Sequence, residues 1–408
     1  MPETPESVAV RWLAGACRRF LDGGEPEGLP HPERFSDDAC RAIERLGAAH
    51  GVEPLLHALT ASGRLDATGL PERLRKGWLA AYCLTLLTNR RRLEILQAAF
   101  AVCKERGLDL VALKGPVHVA RVYRDPGLRP MVDVDLLCRR TQLGGVVEVL
   151  SALGYEARRA SSVFHLDLRH RLSGEMIELH FDLYELIVGR HRFLEEVFET
   201  AIDCEPAGVR IRAPAGEHSV VVDLAHLVNH DLKIGLRQVV DFCGQLTAGT
   251  PAVDRPRLVS LLEGADLADE FATVTALFER LLDWASGRLG AGERAVREPL
   301  VAQVESQWVG LDRLAGPPLL SEMTYRASLG RKLAYLVRLL SVGGLPSGEG
   351  RVSRLSRHGG GLLRSAWRKL RRGAVVGARR AVSLKREVYE RRPAASPSPG
   401  SSPRYPAG

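Results

Sequence analysis

Val132-Asp133-Val134-Asp135-Leu136 is the stretch that narrows the possible folds most. Apolar and acidic residues alternate with period two, which is a strand pattern, and in a strand residues i and i+2 share one face about 6.6 Å apart. Two carboxylates therefore leave an apolar run in the same direction. Without a counter-charge they repel and raise each other's pKa, so the fold has to supply a cation or a solvated edge. A divalent metal meets that need. Mg2+ takes oxygen ligands, commonly one or two carboxylates plus substrate phosphates, and two ions about 3.5 to 4 Å apart can clamp the attacking and leaving oxygens of a displacement. Asp133 and Asp135 are thus candidate metal ligands and candidate catalytic residues.

A third carboxylate on a neighbouring strand would complete such a site. Met176-Ile177-Glu178-Leu179-His180-Phe181-Asp182 offers Glu178, His180 and Asp182 on one face. Glu178 lies between two apolar neighbours, as Asp133 does, and is the preferred third metal ligand, with Asp182 its rival. Adjacent strands about 4.8 Å apart would bring it into the same coordination shell. His180 reads as a supporting histidine. Upstream, the apolar run Leu110-Val111-Ala112-Leu113 breaks at Lys114-Gly115-Pro116 before a helix expected over Val117 to Tyr123. A glycine lets the backbone approach an anion, a lysine adds a point charge, and proline is tolerated in a first helical turn. Lys114, Gly115 and, four residues before Asp133, Arg129 are the candidate phosphate contacts.

Around these segments the chain reads as α+β. Residues 1–106 have a helical period, with Ser36-Asp37-Asp38 as a start signal and Gly107 as a C-cap. Residues 107–205 carry short strand candidates at Leu110–Leu113, Met131–Cys138, Val163–Leu168 and Glu175–Leu183, with a helix over Thr141–Leu153, and suggest a small mixed sheet. Helical periodicity returns over 206–345, including His218–Leu232, Arg237–Leu246, Leu258–Leu262, Leu267–Trp284 and Leu329–Leu340. His226 and His230 stand at i, i+4, but no Glu or Cys completes a zinc set. They read as an interior pair or as polar lining of an acceptor pocket. Asp241 and Arg237 read as a salt bridge on a helix surface.

Charge separates the body from the end of the 408-residue chain, whose formal net charge is +8. From Arg351 onward 15 basic residues face only Glu387 and Glu390, a net of +13, which leaves residues 1–350 at −5. The body offers no bulk charge for nucleic acid. Residues 346–392 form a basic amphipathic pattern that suits an anionic membrane surface, a nucleic acid backbone, or packing of one face on the body. Pro393–Gly408, with five prolines and four serines, reads as disordered. Seven scattered cysteines without a Cys-x-x-Cys pair read as reduced thiols, and with no apolar run after a basic start they point to a cytoplasmic protein without a transmembrane segment.

Together, Leu113-Lys114-Gly115, Tyr123-Arg124-Asp125-Pro126-Gly127-x-Arg129, Asp133-Val134-Asp135-Leu136-Leu137 and Glu178-Leu179-His180-Phe181 resemble a bacterial family of uncharacterised nucleotidyltransferases in the DNA-polymerase-beta-like superfamily. His226-x-x-x-His230 and Arg237-x-x-x-Asp241 look like that family's downstream region. The superfamily's usual first element is glycine followed by serine or glycine, whereas this family shares the Lys-Gly form found here. The resemblance implies a nucleotidyltransferase-type module flanked by helical regions. It also implies Mg2+- or Mn2+-dependent transfer of a nucleoside monophosphate from an NTP, ATP included, to an acceptor hydroxyl, with pyrophosphate leaving, in a biosynthetic or modification pathway. By position Asp133 and Asp135 match the paired metal ligands and Glu178 the third carboxylate. Two alternatives stay open: a catalytically idle module of the same fold that binds a partner, and a two-metal phosphohydrolase.

Overall fold

The computed structural model describes residues 4–22, 35–157, 164–184, 186–230, 232, 234–249, 251–290 and 298–309. They fall in the first of two compact units, Met1–Leu336; the second, Val337–Gly408, lies outside the described residues. So do the helix expected at 329–340, the basic tail at 346–392 with its membrane or nucleic acid contact, and the Pro/Ser-rich end at 393–408.

Four helices come first: α1 (Pro5–Asp22), α2 (Asp37–His50), α3 (Glu53–Ala61) and α4 (Glu72–Glu105). The start signal of α2 works as expected, because Ser36 accepts the amide of Ala39 at 3.2 Å and satisfies an otherwise orphaned N–H. The 34-residue α4 buries a stripe that includes Leu74, Trp78, Asn89, Leu93, Leu96 and Cys103. Gly107 follows it in the left-handed region at φ 65°, where glycine alone carries no Cβ penalty.

Next comes a five-stranded mixed sheet of β1 (Leu110–Ala112), β2 (Asp133–Cys138), β3 (Tyr155–Ala157), β4 (His165–His170) and β5 (Met176–His180), in the order β1-β2-β5-β4-β3. β2 and β5 are parallel, and the other pairs are antiparallel. Between β1 and β2 the expected helix is split into α5 (Gly115–His118) and a π-helical turn, Val119–Tyr123. Between β2 and β3 lies α6 (Leu143–Ala152). After the sheet come α7 (Arg190–Thr200), a small hairpin of β6 (Ile202–Cys204) and β7 (Ile211–Ala213), and then α8 (Gly216–Asn229), α9 (Leu236–Thr247), α10 (Arg255–Gly264), α11 (Ala268–Leu281) and α12 (Glu298–Val309).

The fold is α+β, and a single apolar cluster runs through it. That cluster joins Trp12, Ile43 and Trp78 of the first helices to Val111 and Leu137 of the sheet and to Val221, Phe242, Phe278 and Trp308 of the later helices. The helices therefore brace the sheet directly. All seven cysteines are unpaired, with Cys83 exposed. Among the described residues no helix is long and apolar enough to cross a membrane.

Candidate active site

The sheet register creates the site. β2 pairs in parallel with β5 so that Asp135 stands opposite Glu178 and Asp133 opposite Met176. Residues opposite one another project from the same face of a sheet. Asp133, Asp135 and Glu178 thus share a face, and the adjacency on which a common coordination shell depends is present. β4 adds the next column: Asp167 lies opposite Glu178 and His165 opposite His180.

Asp135 is the electrostatic centre. Lys114 Nζ donates to its Oδ1 at 2.7 Å, and His180 Nε2 reaches the same oxygen at 3.0 Å, with all three residues shielded from solvent. Burial alone would raise the Asp135 pKa, but the Lys114 ammonium and the His180 bond outweigh it and hold the carboxyl well below the usual carboxylate range. Reciprocally, Lys114 is driven well above the ordinary lysine range despite burial, mainly by Asp135. His180 is raised by Asp135 and Glu178 against the pull of burial. Glu178, with Oε2 at 3.6 Å from His180 Nε2, is lowered chiefly by that histidine.

Asp133 behaves differently. Its pKa is raised, first by burial and then by repulsion from Asp135 and Glu178, and among the described residues no cation lies within ion-pair distance of it. A hard divalent cation would relieve this. Asp133 and Glu178 offer carboxylate oxygens, and both bonds to Asp135 fall on Oδ1, so Oδ2 is the oxygen it can offer. The donor set suits an oxygen-loving ion such as Mg2+ or Mn2+.

The backbone at Lys114 is strained. At φ 46° and ψ −107° it lies outside the regions a residue with a Cβ ordinarily occupies. Strain of this kind costs about 1–3 kcal/mol and persists where surrounding structure enforces it, commonly at functional sites. Gly115 has a plainer reason to be glycine: a Cβ there would sit 2.7 Å from Met131 Sδ and 3.2 Å from Arg129 Nη1.

The loop that delivers Asp133 is held by polar side chains of α4. Tyr82 donates to Asp125 Oδ2 at 2.9 Å, Asn89 donates to the carbonyls of Pro126 and Arg129 at 2.7 and 2.8 Å, and Arg92 donates to the carbonyl of Met131 at 2.6 Å. Thus the Asp125-Pro126-Gly127 segment is built into the first helical layer.

Arg129 is not gathered with the acidic residues. Its Nε and Nη2 donate to Asp241 on α9 at 3.0 and 2.8 Å, leaving Nη1 beside Gly115. The surface salt bridge expected between Asp241 and Arg237 is corrected accordingly. Asp241 is buried and takes Arg129, while Arg237 donates to the carbonyl of Pro130 at 2.8 Å. Asp182, the rival third ligand, is held by Arg140 at 3.3 Å and Arg190 at 3.2 Å.

Three nearby groups went unassigned in the sequence reading. His165 and Asp167 join the acidic face through β4, whose pairing partner no local pattern reveals. Tyr184, just past β5, places its hydroxyl 2.9 Å from His226 Nδ1. Burial holds the His226 pKa far below the ordinary range, with Lys114 and His230 adding to it, so the imidazole that shares this hydrogen bond with the Tyr184 hydroxyl is neutral. The His226 and His230 rings lie 4.4 Å apart, but His230 is exposed and His226 only half-buried, so the interior pair expected from the sequence is corrected to one that reaches the surface.

A family model described as an uncharacterised nucleotidyltransferase matches residues 38–283, more than half of the chain. No curated protein matches by sequence. Among solved structures, a crystal structure of ANT(2")-Ia in complex with adenylyl-2"-tobramycin is 12% identical, covering 43% of this chain and 97% of that one at a TM-score of 0.32. A solution structure of the antibiotic-resistance factor ANT(2'')-Ia is 14% identical, covering 55% and 96% at a TM-score of 0.27.

Proposed function

The chain belongs to this nucleotidyltransferase family, and from that premise we propose that it transfers a nucleoside monophosphate from an NTP, ATP included, to an acceptor hydroxyl, releasing pyrophosphate, in a divalent-metal-dependent step of a cytoplasmic biosynthetic or modification pathway. The observation that carries the reading is the register that sets Asp135 opposite Glu178 on adjacent parallel strands, with Asp133 two residues earlier on the same face.

On this reading Asp133, Asp135 and Glu178 hold Mg2+ or Mn2+, which when bound neutralises phosphate charge and lowers the pKa of the acceptor hydroxyl. The protein's own groups do the rest. Lys114, fixed by a strained backbone at the end of β1, is the cation that answers a triphosphate, and its pairing with Asp135 keeps that carboxylate ionised before substrate arrives. His180 orients Asp135 through the bond at 3.0 Å. Gly115 brings the chain close behind Lys114, and Arg129 contributes through Nη1 while its other nitrogens remain on Asp241. Tyr184 and the neutral His226 border the cluster and line the acceptor side.

The experiment is to incubate the purified protein with each labelled NTP, Mg2+ or Mn2+, and a lysate of its host, following pyrophosphate and the labelled acceptor. Pyrophosphate release that vanishes in Asp133→Asn is the expected result. Free phosphate in its place would make the protein a phosphohydrolase, and nucleotide binding without turnover would make it a binding module.

A further inference from the structure

β4 and β5 run antiparallel with His165 opposite His180 and Asp167 opposite Glu178. These four side chains therefore continue the acidic face sideways, away from β1. The ligand atoms of His165, Glu178 and His180 lie within 4.8 Å of one another. The two imidazole rings are 5.1 Å apart and inclined at 53°. Asp167 Oδ1 stands 3.2 Å from His165 Nε2, the kind of carboxylate partner that orients a ligand histidine. Bonds of about 2.0–2.2 Å around Zn2+ keep its donors roughly 3.3–4 Å apart, so small side-chain rotations close the set around an ion. The chemistry differs from that of the three carboxylates. Oxygen donors alone suit Mg2+ and Mn2+, whereas two imidazoles with one carboxylate favour borderline ions such as Zn2+ and Co2+.

We propose that His165, Glu178 and His180 form a second metal site, selective for borderline transition-metal dications, which borrows Glu178 from the Asp133–Asp135 cluster. Sharing Glu178 makes the two sites mutually exclusive in their full coordination. An ion that takes Glu178 and His180 also withdraws the histidine from Asp135. Zn2+ is therefore an inhibitor that competes with Mg2+; this effect on turnover rests on the function proposed above, whereas the binding does not.

The test uses the full chain, stripped of metal and titrated with Co2+ alone, read by visible absorption, and then with Zn2+ as the displacing ion. One equivalent of Co2+ with nitrogen-ligated absorption bands is expected. His165→Gln weakens Zn2+ by about tenfold or more, in the range that changes at a ligand shell produce, and Asp133→Asn leaves Zn2+ affinity within about twofold of wild type. X-ray absorption of the Zn2+-loaded wild type gives two imidazole nitrogens at about 2.0–2.1 Å, a reading that does not depend on how any variant folds. An all-oxygen shell, undiminished Zn2+ binding in His165→Gln, or equal loss in Asp133→Asn and His165→Gln overturns the proposal. Absence of nucleotidyl transfer with the nitrogen-ligated spectrum intact leaves this site standing and removes the enzymatic reading instead.

Discussion

Arg129 and Asp241, 112 residues apart in the chain, meet in a two-point ion pair, Nε to Oδ1 at 3.0 Å and Nη2 to Oδ2 at 2.8 Å, with both residues buried. The pair fastens the loop ahead of β2 to α9. Removing one partner of a buried pair strands the other charge, at a cost of about 3–5 kcal/mol, whereas replacing both with apolar residues of similar volume is often neutral. Asp241→Ala is expected to lose stability in that range, and Arg129→Met with Asp241→Leu to recover most of it, measured by urea unfolding. An unchanged midpoint in Asp241→Ala would show that the pair anchors nothing.

The two aspartates of the β2 motif separate in their effect on stability. Asp133 is repelled by Asp135 and Glu178, so Asp133→Asn relieves repulsion and melts at or above the wild-type temperature without metal, while losing the stabilisation that added Mg2+ confers. Asp135 is the counter-ion of the shielded Lys114 and the hydrogen-bond partner of His180. Asp135→Asn is expected to cost about 3 kcal/mol, since the Lys114 ammonium loses its anion and His180 its carboxylate partner. Thermal melts with and without Mg2+ check this, and equal behaviour of the two variants contradicts the assigned charge pattern.

His50 gives the fold a pH dependence away from the acidic face. The Leu236 amide donates to His50 Nδ1 at 3.3 Å, so the ring proton sits on Nε2, which faces the carbonyl of Trp308 at 3.3 Å. Burial lowers the pKa to about 4, whereas the unfolded chain takes the proton near 6.5. The unfolded state therefore gains protons first on acidification. The histidine's contribution is whole above about pH 6.5 and is lost as the pH falls toward 4, a change of about 3 kcal/mol. The stability gap between wild type and His50→Gln should narrow by that amount from pH 7 to pH 4. A gap independent of pH would remove ionisation of His50 from the account.

The local patterns carried the acidic strand but not its surroundings. Period-two alternation is a property of a few consecutive residues, so β2 and β5 were legible. Which strand lies beside which is set by non-local pairing, and His165 and Asp167 became part of the face only through β4. Three-residue strands such as β3, β6 and β7 are too short to display any period. Arg237 and Asp241 show how spacing misleads: four residues apart on one helix they look like a surface pair, yet burial of Asp241 turned it to Arg129. Burial is a tertiary property with no signature at i, i+4.

Gly244 on α9 tests the packing of the π-helical turn that follows α5. A Cβ at that position would collide with Val122 Cγ1, and Val122 is buried within the turn. Two effects oppose each other. Glycine in a helix interior costs roughly 0.5–1 kcal/mol relative to alanine, while overpacking a filled core costs about 1–3 kcal/mol. Overpacking should win, so Gly244→Ala is expected to destabilise by about 1–2 kcal/mol. In a Val122→Ala background the obstructing methyl groups are gone, and the helix preference should then make Gly244→Ala neutral or stabilising by up to about 1 kcal/mol. This reversal is a coupling between contacting residues that a double-mutant cycle isolates. If Gly244→Ala has the same effect in both backgrounds, the close approach of α9 to the turn does not decide why glycine stands there.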